Sequence, residues 1–189
     1  MVVSRGAYLA FLGGLAIERA FELWLSKRNA RRALTRDGIE VGHGQYRIMV
    51  AFHTLFIVAC AVEATGENPS FPRILCIMAL IGEAAAQGLR YWSVVTLGES
   101  WNARVIVIPG ASPVTSGPYR YVRHPNYTAV ALEMVCIPLI GGLLTTAAAA
   151  FAINAILLRF RIRLEERALG ECYQRAFAAR PRFIPDISH

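Results

Sequence analysis

The sequence predicts an all-α integral membrane protein with about five transmembrane helices, the last two forming a tight helical hairpin. Of the 189 residues, 55% are hydrophobic and only 17% are charged, whereas soluble domains are typically about 45–50% apolar. The net charge of +7 comes almost entirely from arginine, and the arginines cluster in segments between apolar runs. This placement favours loops at a membrane surface over a nucleic-acid-binding face.

The first predicted span covers residues 6–25, which supply about twenty largely apolar positions, enough to cross a hydrocarbon core of roughly 30 Å. Near its end, Glu18 and Glu22 lie at i and i+4 and therefore share one helix face. We expect them to face other helices or the lipid headgroups, in structural ion pairs more than in a functional role. This span opens an N-terminal part, residues 1–72, of a single membrane domain.

Residues 26–47 break the apolar pattern with six Lys or Arg residues and three glycines, which predicts a cytoplasmic loop by the positive-inside rule. Residues 48–64 form the second predicted span. His53 lies inside it, and we expect a hydrogen-bonded core histidine more than a ligand. The turn at residues 65–72, which contains Glu67 and Pro69, should face the other side of the membrane.

The third predicted span covers residues 73–97 and opens the second part of the domain, residues 73–189. It carries Glu83, Gln87 and Arg90 at i, i+4 and i+7, so one stripe of an apolar helix is polar. Polar groups within a span normally face a partner or a water-filled cavity. A structural network and the lining of a substrate cavity both remain open.

Residues 128–158 are too long for one simple span and contain Pro138, Gly141 and Gly142 near the middle. We predict a helical hairpin that crosses the membrane and returns after the glycines. Five spans then place three arginine-rich segments together on the cytoplasmic side. These segments are residues 26–47, 98–125 and 159–189.

The stretch at residues 117–127 is the most chemically loaded part of the chain. Its prolines and leading glycine predict an ordered loop that enters a helix near Asn126. It offers three phenol rings, two guanidiniums and an imidazole, which can stack on a nucleobase, contact a cation or bind a carboxylate. An interfacial membrane anchor is an equally open interpretation, because Tyr and Arg gather at membrane surfaces.

A charged helix follows the hairpin, and on it Arg161 and Glu165 lie at i and i+4. Taken alone, this pair is typical of a solvated, salt-bridged helix end. Tyr173 lies farther along roughly the same face, and the prolines at 181 and 185 should end the helix. The four cysteines are widely spaced with no CxxC pair, so neither a disulfide framework nor a metal site is predicted.

Together, the aromatic and basic loop and the Arg/Glu helix suit S-adenosylmethionine as a cosubstrate. Aromatic faces attract its sulfonium, a carboxylate pairs with its amino group, and an arginine holds its carboxylate or that of an acceptor. Methyl transfer asks little covalent participation of the protein, because the barrier falls mainly through alignment of the reacting atoms.

The run from Gly117-Pro118-Tyr119 through Arg123-His124-Pro125-Asn126-Tyr127, followed by Glu165-Glu166, Tyr173 and Ile184-Pro185, resembles the isoprenylcysteine carboxyl methyltransferase family and its phospholipid methyltransferase relatives. The resemblance covers roughly residues 86–187. It implies an S-adenosylmethionine pocket that faces the cytosol and opens to the bilayer. It further implies that Glu165 holds the amino-acid end, that Arg161 orients the acceptor, and that the remaining cosubstrate contacts come from Pro113, Val114, Tyr119, His124, Pro125, Asn126 and Tyr127.

The acceptor itself stays open. The tail at residues 178–181 lacks a tyrosine and a basic pair expected in eukaryotic members, and the composition is typical of a GC-rich bacterial genome. A lipophilic acceptor such as an alkyl phenol, an alkyl pyrone or a prenylated acid is therefore plausible, at a bacterial inner membrane. Two alternatives are an NADPH-dependent sterol or steroid reductase-like enzyme and a non-enzymatic membrane scaffold.

Overall fold

A computed structural model describes residues 3–66 and 71–184, and over these residues the protein is mostly helical. Its α-helices are α1 (Arg5–Leu34), α2 (His43–Thr65), α3 (Arg73–Leu97), α4 (Pro125–Ile140) and α5 (Leu144–Ala176). Two short strands, β1 (Ile39–Val41) and β2 (Val105–Val107), pair antiparallel. The predicted helical architecture is confirmed over these residues, but the two-stranded ribbon was not predicted. The β-branched residues of both segments favour its extended conformation.

The first helix is longer than predicted, and much of the expected loop at residues 26–47 is helical. Ser26 donates to Asn102 Oδ1 at 2.7 Å, and Asn29 Nδ2 donates to the Trp101 carbonyl at 2.8 Å. These bonds hold the buried side chains of Ser26 and Asn29 against the segment before β2. The change in hydropathy at residue 26 therefore marks a change of surroundings and not the end of α1.

Two helical stretches are long and apolar enough to cross a membrane by length and composition, namely His43–Thr65 and Arg73–Ser100. The latter is α3 with a short 3₁₀ turn at its end. Helix α4 has 16 residues, or about 24 Å at 1.5 Å per residue, and α1 and α5 carry charged side chains. Five spans therefore stay a prediction, and most of the predicted turn at 65–72, including Glu67 and Pro69, lies outside the described residues.

The predicted hairpin is confirmed, since α4 and α5 are separated by a turn at its two glycines. Gly142 has a φ of +73°, and a Cβ there would lie 3.0 Å from the Phe71 side chain. A Cβ on Gly141 would lie 2.9 Å from the Tyr8 ring. Glycine is required at both positions for the turn to pack against its neighbours.

The start of α5 is held by α2. The Glu63 carboxylate accepts hydrogen bonds from the Thr146 amide at 2.8 Å, the Thr145 amide at 3.3 Å and the Thr146 hydroxyl. The first amides of a helix have no partner within it, and a negative charge near them is favourable. Glu63 thus caps a helix that lies far from it in the sequence.

The three arginine-rich segments lie side by side, as predicted. The ribbon β1–β2 joins the first to the second, and Arg104 Nη1 donates to Glu40 Oε2 across it at 2.9 Å. Arg161 Nη2 donates to the Ala103 carbonyl at 2.7 Å and joins the third segment to the second. These contacts gather the polar ends of the helices on one side of the molecule.

Candidate functional site

The loop at residues 117–127 is shaped by its first glycine and last proline. Gly117 has a φ of +56°, and a Cβ there would lie 2.4 Å from Thr96 Oγ1 of α3. The chain then forms a 3₁₀ turn and enters α4, whose first residue is Pro125. Proline is favourable there because the first helical amides have no partner in any case. The predicted helix entry near Asn126 is confirmed.

The tail after α5 closes back on this loop. The Arg123 amide donates to the Pro181 carbonyl at 2.9 Å, and the His124 amide donates to the Arg182 carbonyl at 3.0 Å. Arg123 Nε also donates to the Arg180 carbonyl at 2.6 Å. The backbone of the loop is therefore held by residues that follow it by almost sixty positions in the sequence.

A break in α5 makes this closure possible. Gly170 has φ +70° and ψ −163°, so α5 is interrupted there and its last turn is redirected. The redirected turn brings Tyr173 and Phe177 into a buried cluster with Tyr119 of the loop. Burial, followed by the nearby Glu165 carboxylate, raises the pKa of Tyr119, which therefore stays a neutral phenol at physiological pH.

The His124 side chain is held by Glu166 and not by Glu165, the residue before Glu166 in the sequence. Its Nε2 lies 3.1 Å from Glu166 Oε1 and donates, because a carboxylate only accepts. Arg182 donates to both oxygens of Glu166, at 3.0 and 2.7 Å, and the Tyr127 ring stacks on His124 at 5.3 Å. Burial acts to raise the pKa of Glu166, but the hydrogen bonds from Arg182 and His124 lower it below its usual range.

Arg161 and Glu165 meet through the hydroxyl of Tyr127. That hydroxyl donates to Glu165 Oε2 and accepts from Arg161 Nε at 3.2 Å. Among the described residues the two side chains form no direct ion pair. The interpretation as a simple salt-bridged helix end therefore fails, because Arg161 is buried and directed to other partners.

A cavity of about 510 Å³ contains most of the predicted site. This volume lies within the roughly 300–1,000 Å³ typical of ligand pockets. The predicted site residues that line the cavity are Tyr119, His124, Asn126, Tyr127, Arg161 and Glu165. The other three do not line it: Pro125 is buried at the start of α4, and Pro113 and Val114 lie on the loop after β2. Their predicted cosubstrate contacts are not supported by the cavity.

The cavity also includes residues that the sequence did not indicate. Tyr46, Trp101, Asn102 and Ala103 line it near the ribbon, and Trp101 just before a β-branched run was the only signal. Its remaining polar lining is Arg19, Glu22, His53, Thr54 and Arg90. Of the polar stripe of α3, Arg90 lines the cavity, whereas Glu83 and Gln87 do not line it.

The family model of the isoprenylcysteine carboxyl methyltransferase (ICMT) family matches residues 76–171. The chain belongs to this family. It is also 35% identical over 159 residues to the uncharacterized protein YpbQ of Bacillus subtilis (strain 168), covering 83% of this chain and 93% of the relative. An uncharacterized protein of Haemophilus influenzae is 26% identical over 160 residues, covering 84% and 92%.

The matched region begins in α3 and ends at Glu171, just after the break in α5. It therefore contains the loop, α4 and the helix that carries Arg161, Glu165 and Glu166. Membership of the ICMT family implies a membrane-bound, S-adenosylmethionine-dependent methyltransferase. The two relatives are both named uncharacterized, so the methyltransferase activity is inferred from membership of the family alone.

Proposed function

We propose that this ICMT-family protein is an integral membrane methyltransferase that transfers a methyl group from S-adenosylmethionine to a carboxylate or hydroxyl of a lipophilic acceptor. One observation carries the proposal: a single cavity joins polar and aromatic residues of the family-matched region to apolar residues of α1 and α2. The polar end is formed by Tyr127, Arg161 and Glu165. The apolar lining from α1 and α2 includes Ala16, Ala20, Leu23, Val50, Ile57 and Val58.

Two buried atoms at the polar end support two ligands held side by side. Asn126 Oδ1, an acceptor, and Arg161 Nη1, a donor, have no hydrogen-bond partner within the described residues. Buried polar atoms are normally paired, and the amino group of S-adenosylmethionine would satisfy the first and an oxygen of the methyl acceptor the second. Glu165 would hold the amino group, while Tyr119 and Tyr127 would face the sulfonium. S-adenosylmethionine supplies the electrophilic methyl group, and the protein supplies its alignment.

Equilibrium binding to detergent-purified protein tests the class of enzyme. S-adenosylhomocysteine should bind and NADPH should not. Binding of NADPH instead would favour the reductase alternative, and binding of neither would favour the membrane scaffold.

Substitutions of Arg161 and Glu165 should have different kinetic effects, because the two side chains are proposed to contact different molecules. Glu165→Gln should raise KM for S-adenosylmethionine, whereas Arg161→Ala should lower kcat/KM for the acceptor about a hundredfold and leave cosubstrate binding largely intact. Glu171→Gln is the matched control, since its side chain is 81% exposed and paired only with Arg175. The acceptor is found first by screening prenylated acids, alkyl phenols, alkyl pyrones and amine phospholipids with radiolabelled methyl donor. If both variants keep wild-type kinetics, the assigned roles are wrong.

We further propose five spans in a bacterial inner membrane, with the site facing the cytoplasm, because the arginine-rich segments lie on one side of the molecule and such segments normally face the cytoplasm. Cys172 is exposed near the end of α5 and serves as a natural reporter once the other cysteines are replaced. It should react with an impermeant thiol reagent from the cytoplasmic side. Gly66→Cys, introduced without Cys172, should react from the opposite side, and labelling of both from one side would contradict the topology.

A further inference from the structure

Part of the cavity wall is an ionic cluster shared by α1, α3 and α4. Arg90 donates to both oxygens of Glu22, at 2.7 and 2.6 Å, and its Nη1 lies 3.4 Å from Glu133 Oε2. Arg19 pairs with Glu22 at 3.0 Å and with Glu133 at 3.5 Å. Arg19, Glu22 and Arg90 line the cavity. Burying these charges beside a cavity that held only a hydrocarbon chain would be unfavourable, because their desolvation costs free energy.

Carboxylates outnumber guanidiniums in this cluster. Glu18 pairs with Arg19 at 3.3 Å and accepts from Gln87, and Glu83 also accepts from Gln87 at 3.0 Å. The cluster therefore holds four glutamates against two arginines, and both arginines are already engaged by carboxylates. The four glutamates are Glu18, Glu22, Glu83 and Glu133. An anionic ligand group would find both guanidiniums already paired with carboxylates here.

His53 lines the same cavity. In contrast to the paired charges of the cluster, it offers a hydrogen-bond acceptor on a ring nitrogen. Its Nδ1 lies 2.8 Å from the Met49 carbonyl, one turn earlier in α2. A carbonyl oxygen only accepts, so Nδ1 carries the proton, and in the neutral ring Nε2 is left as an acceptor. The prediction of a hydrogen-bonded histidine is confirmed through Nδ1. That bond leaves Nε2 available for a donor in the cavity.

We propose that His53 accepts a hydrogen bond from the acceptor substrate, and that this substrate is a lipophilic molecule with a neutral hydroxyl group and not a carboxylate. This inference rests on the proposed methyltransferase function and narrows its acceptor. Val50 and Ile57 lie three residues before and four residues after His53 and line the same cavity. One face of α2 therefore contacts both the hydroxyl and the apolar body of the acceptor.

Binding of three matched ligands to detergent-purified protein tests the inference. They are a long-chain alkyl phenol, its methyl ether and a fatty acid of similar length. The phenol should bind about tenfold more tightly than the ether, the loss expected when one buried hydrogen bond is left unmade, and more tightly than the acid. His53→Phe should abolish the preference for the phenol over the ether. His53→Gln, whose amide oxygen can accept, should keep part of it.

His43→Phe is the matched control. His43 is also on α2, but its side chain is 70% exposed and pairs with Glu40, so the preference for the phenol should be unchanged. S-adenosylhomocysteine affinity, measured on every variant, separates this inference from the proposed function. If the wild type does not bind S-adenosylhomocysteine, the proposed methyltransferase function is refuted. If it binds S-adenosylhomocysteine but does not prefer the phenol, only the role of His53 is refuted.

If His53→Phe fails to fold, the wild-type ligand series still decides. An acid that binds as tightly as the phenol, or an ether that binds as tightly as the phenol, overturns the inference. A phenol preference that survives unchanged in a folded His53→Phe variant overturns it as well.

Discussion

The substitution Glu166→Gln tests how the chain closes over its candidate site. Glu166 binds both His124 of the loop and Arg182 of the tail. Glutamine keeps the shape but removes the charge, and it replaces one acceptor oxygen with a donor nitrogen. That nitrogen cannot accept from either partner. We expect the contact between the tail and the loop to weaken, although the hydrogen bonds to the tail carbonyls remain, and His124 to be held less firmly.

The magnitude follows from the contacts that are lost. Hydrogen bonds to a charged group contribute about 1.5–3 kcal/mol each when buried, but the Arg182 side chain is 53% exposed and its bonds are screened by solvent. We therefore expect a loss of about 1–2 kcal/mol. S-adenosylhomocysteine affinity should fall by up to about tenfold, since about 1.4 kcal/mol is a factor of ten.

The effect should also depend on pH. The folded-state pKa of Glu166 is below its ordinary value of 4.5, so the stabilisation is present above that value and is lost as the pH falls through the folded pKa. Wild-type protein should therefore lose stability on acidification more steeply than Glu166→Gln. The assay is thermal unfolding in detergent from pH 7 to pH 3, with ligand affinity measured at pH 7.

Glu171→Gln on the same helix is the control, and it should be nearly silent because that glutamate forms only an exposed pair. Equal effects of the two substitutions would refute the closure of the tail through Glu166.

Two further predictions concern the scaffold. Gly117→Ala should lower the free energy of unfolding by at least about 1–2 kcal/mol, because the φ of Gly117 is positive and the new Cβ would lie 2.4 Å from Thr96 Oγ1. Gly88→Ala is the control: Gly88 is a helical glycine with open space around it, so the substitution should raise the free energy of unfolding by about 0.5–1 kcal/mol. Glu63→Ala should cost about 1 kcal/mol through the lost cap of Thr146, while S-adenosylhomocysteine affinity stays at the wild-type value; thermal unfolding in detergent and ligand titration check both.

The sequence predicted those elements whose bounds depend on a few neighbouring residues. The apolar run at 73–97 coincides with the bounds of α3, and two adjacent glycines marked the turn between α4 and α5. Pro125 marked the start of α4. Each of these signals is contained in a few neighbouring residues, so no knowledge of the rest of the fold was needed.

Long-range pairing is where the sequence was insufficient. The end of α1 was misplaced because Ser26 and Asn29 look like loop residues until Trp101 and Asn102 are beside them. Glu165 and Glu166 are adjacent and chemically identical, and only the folded helix shows that the first faces the cavity and the second faces the tail.

The hydrogen bonds between the loop and the tail also order events during biosynthesis. Arg180 leaves the ribosome 57 residues after Arg123, to which it is bound in the folded protein. At roughly 5–20 residues per second, translation takes about 3–11 s to cover that interval. Throughout it the loop amides at 123 and 124 have no partner from the tail, although the helices before them can already have formed. A nascent chain stalled in this window would have these helices but no closed site.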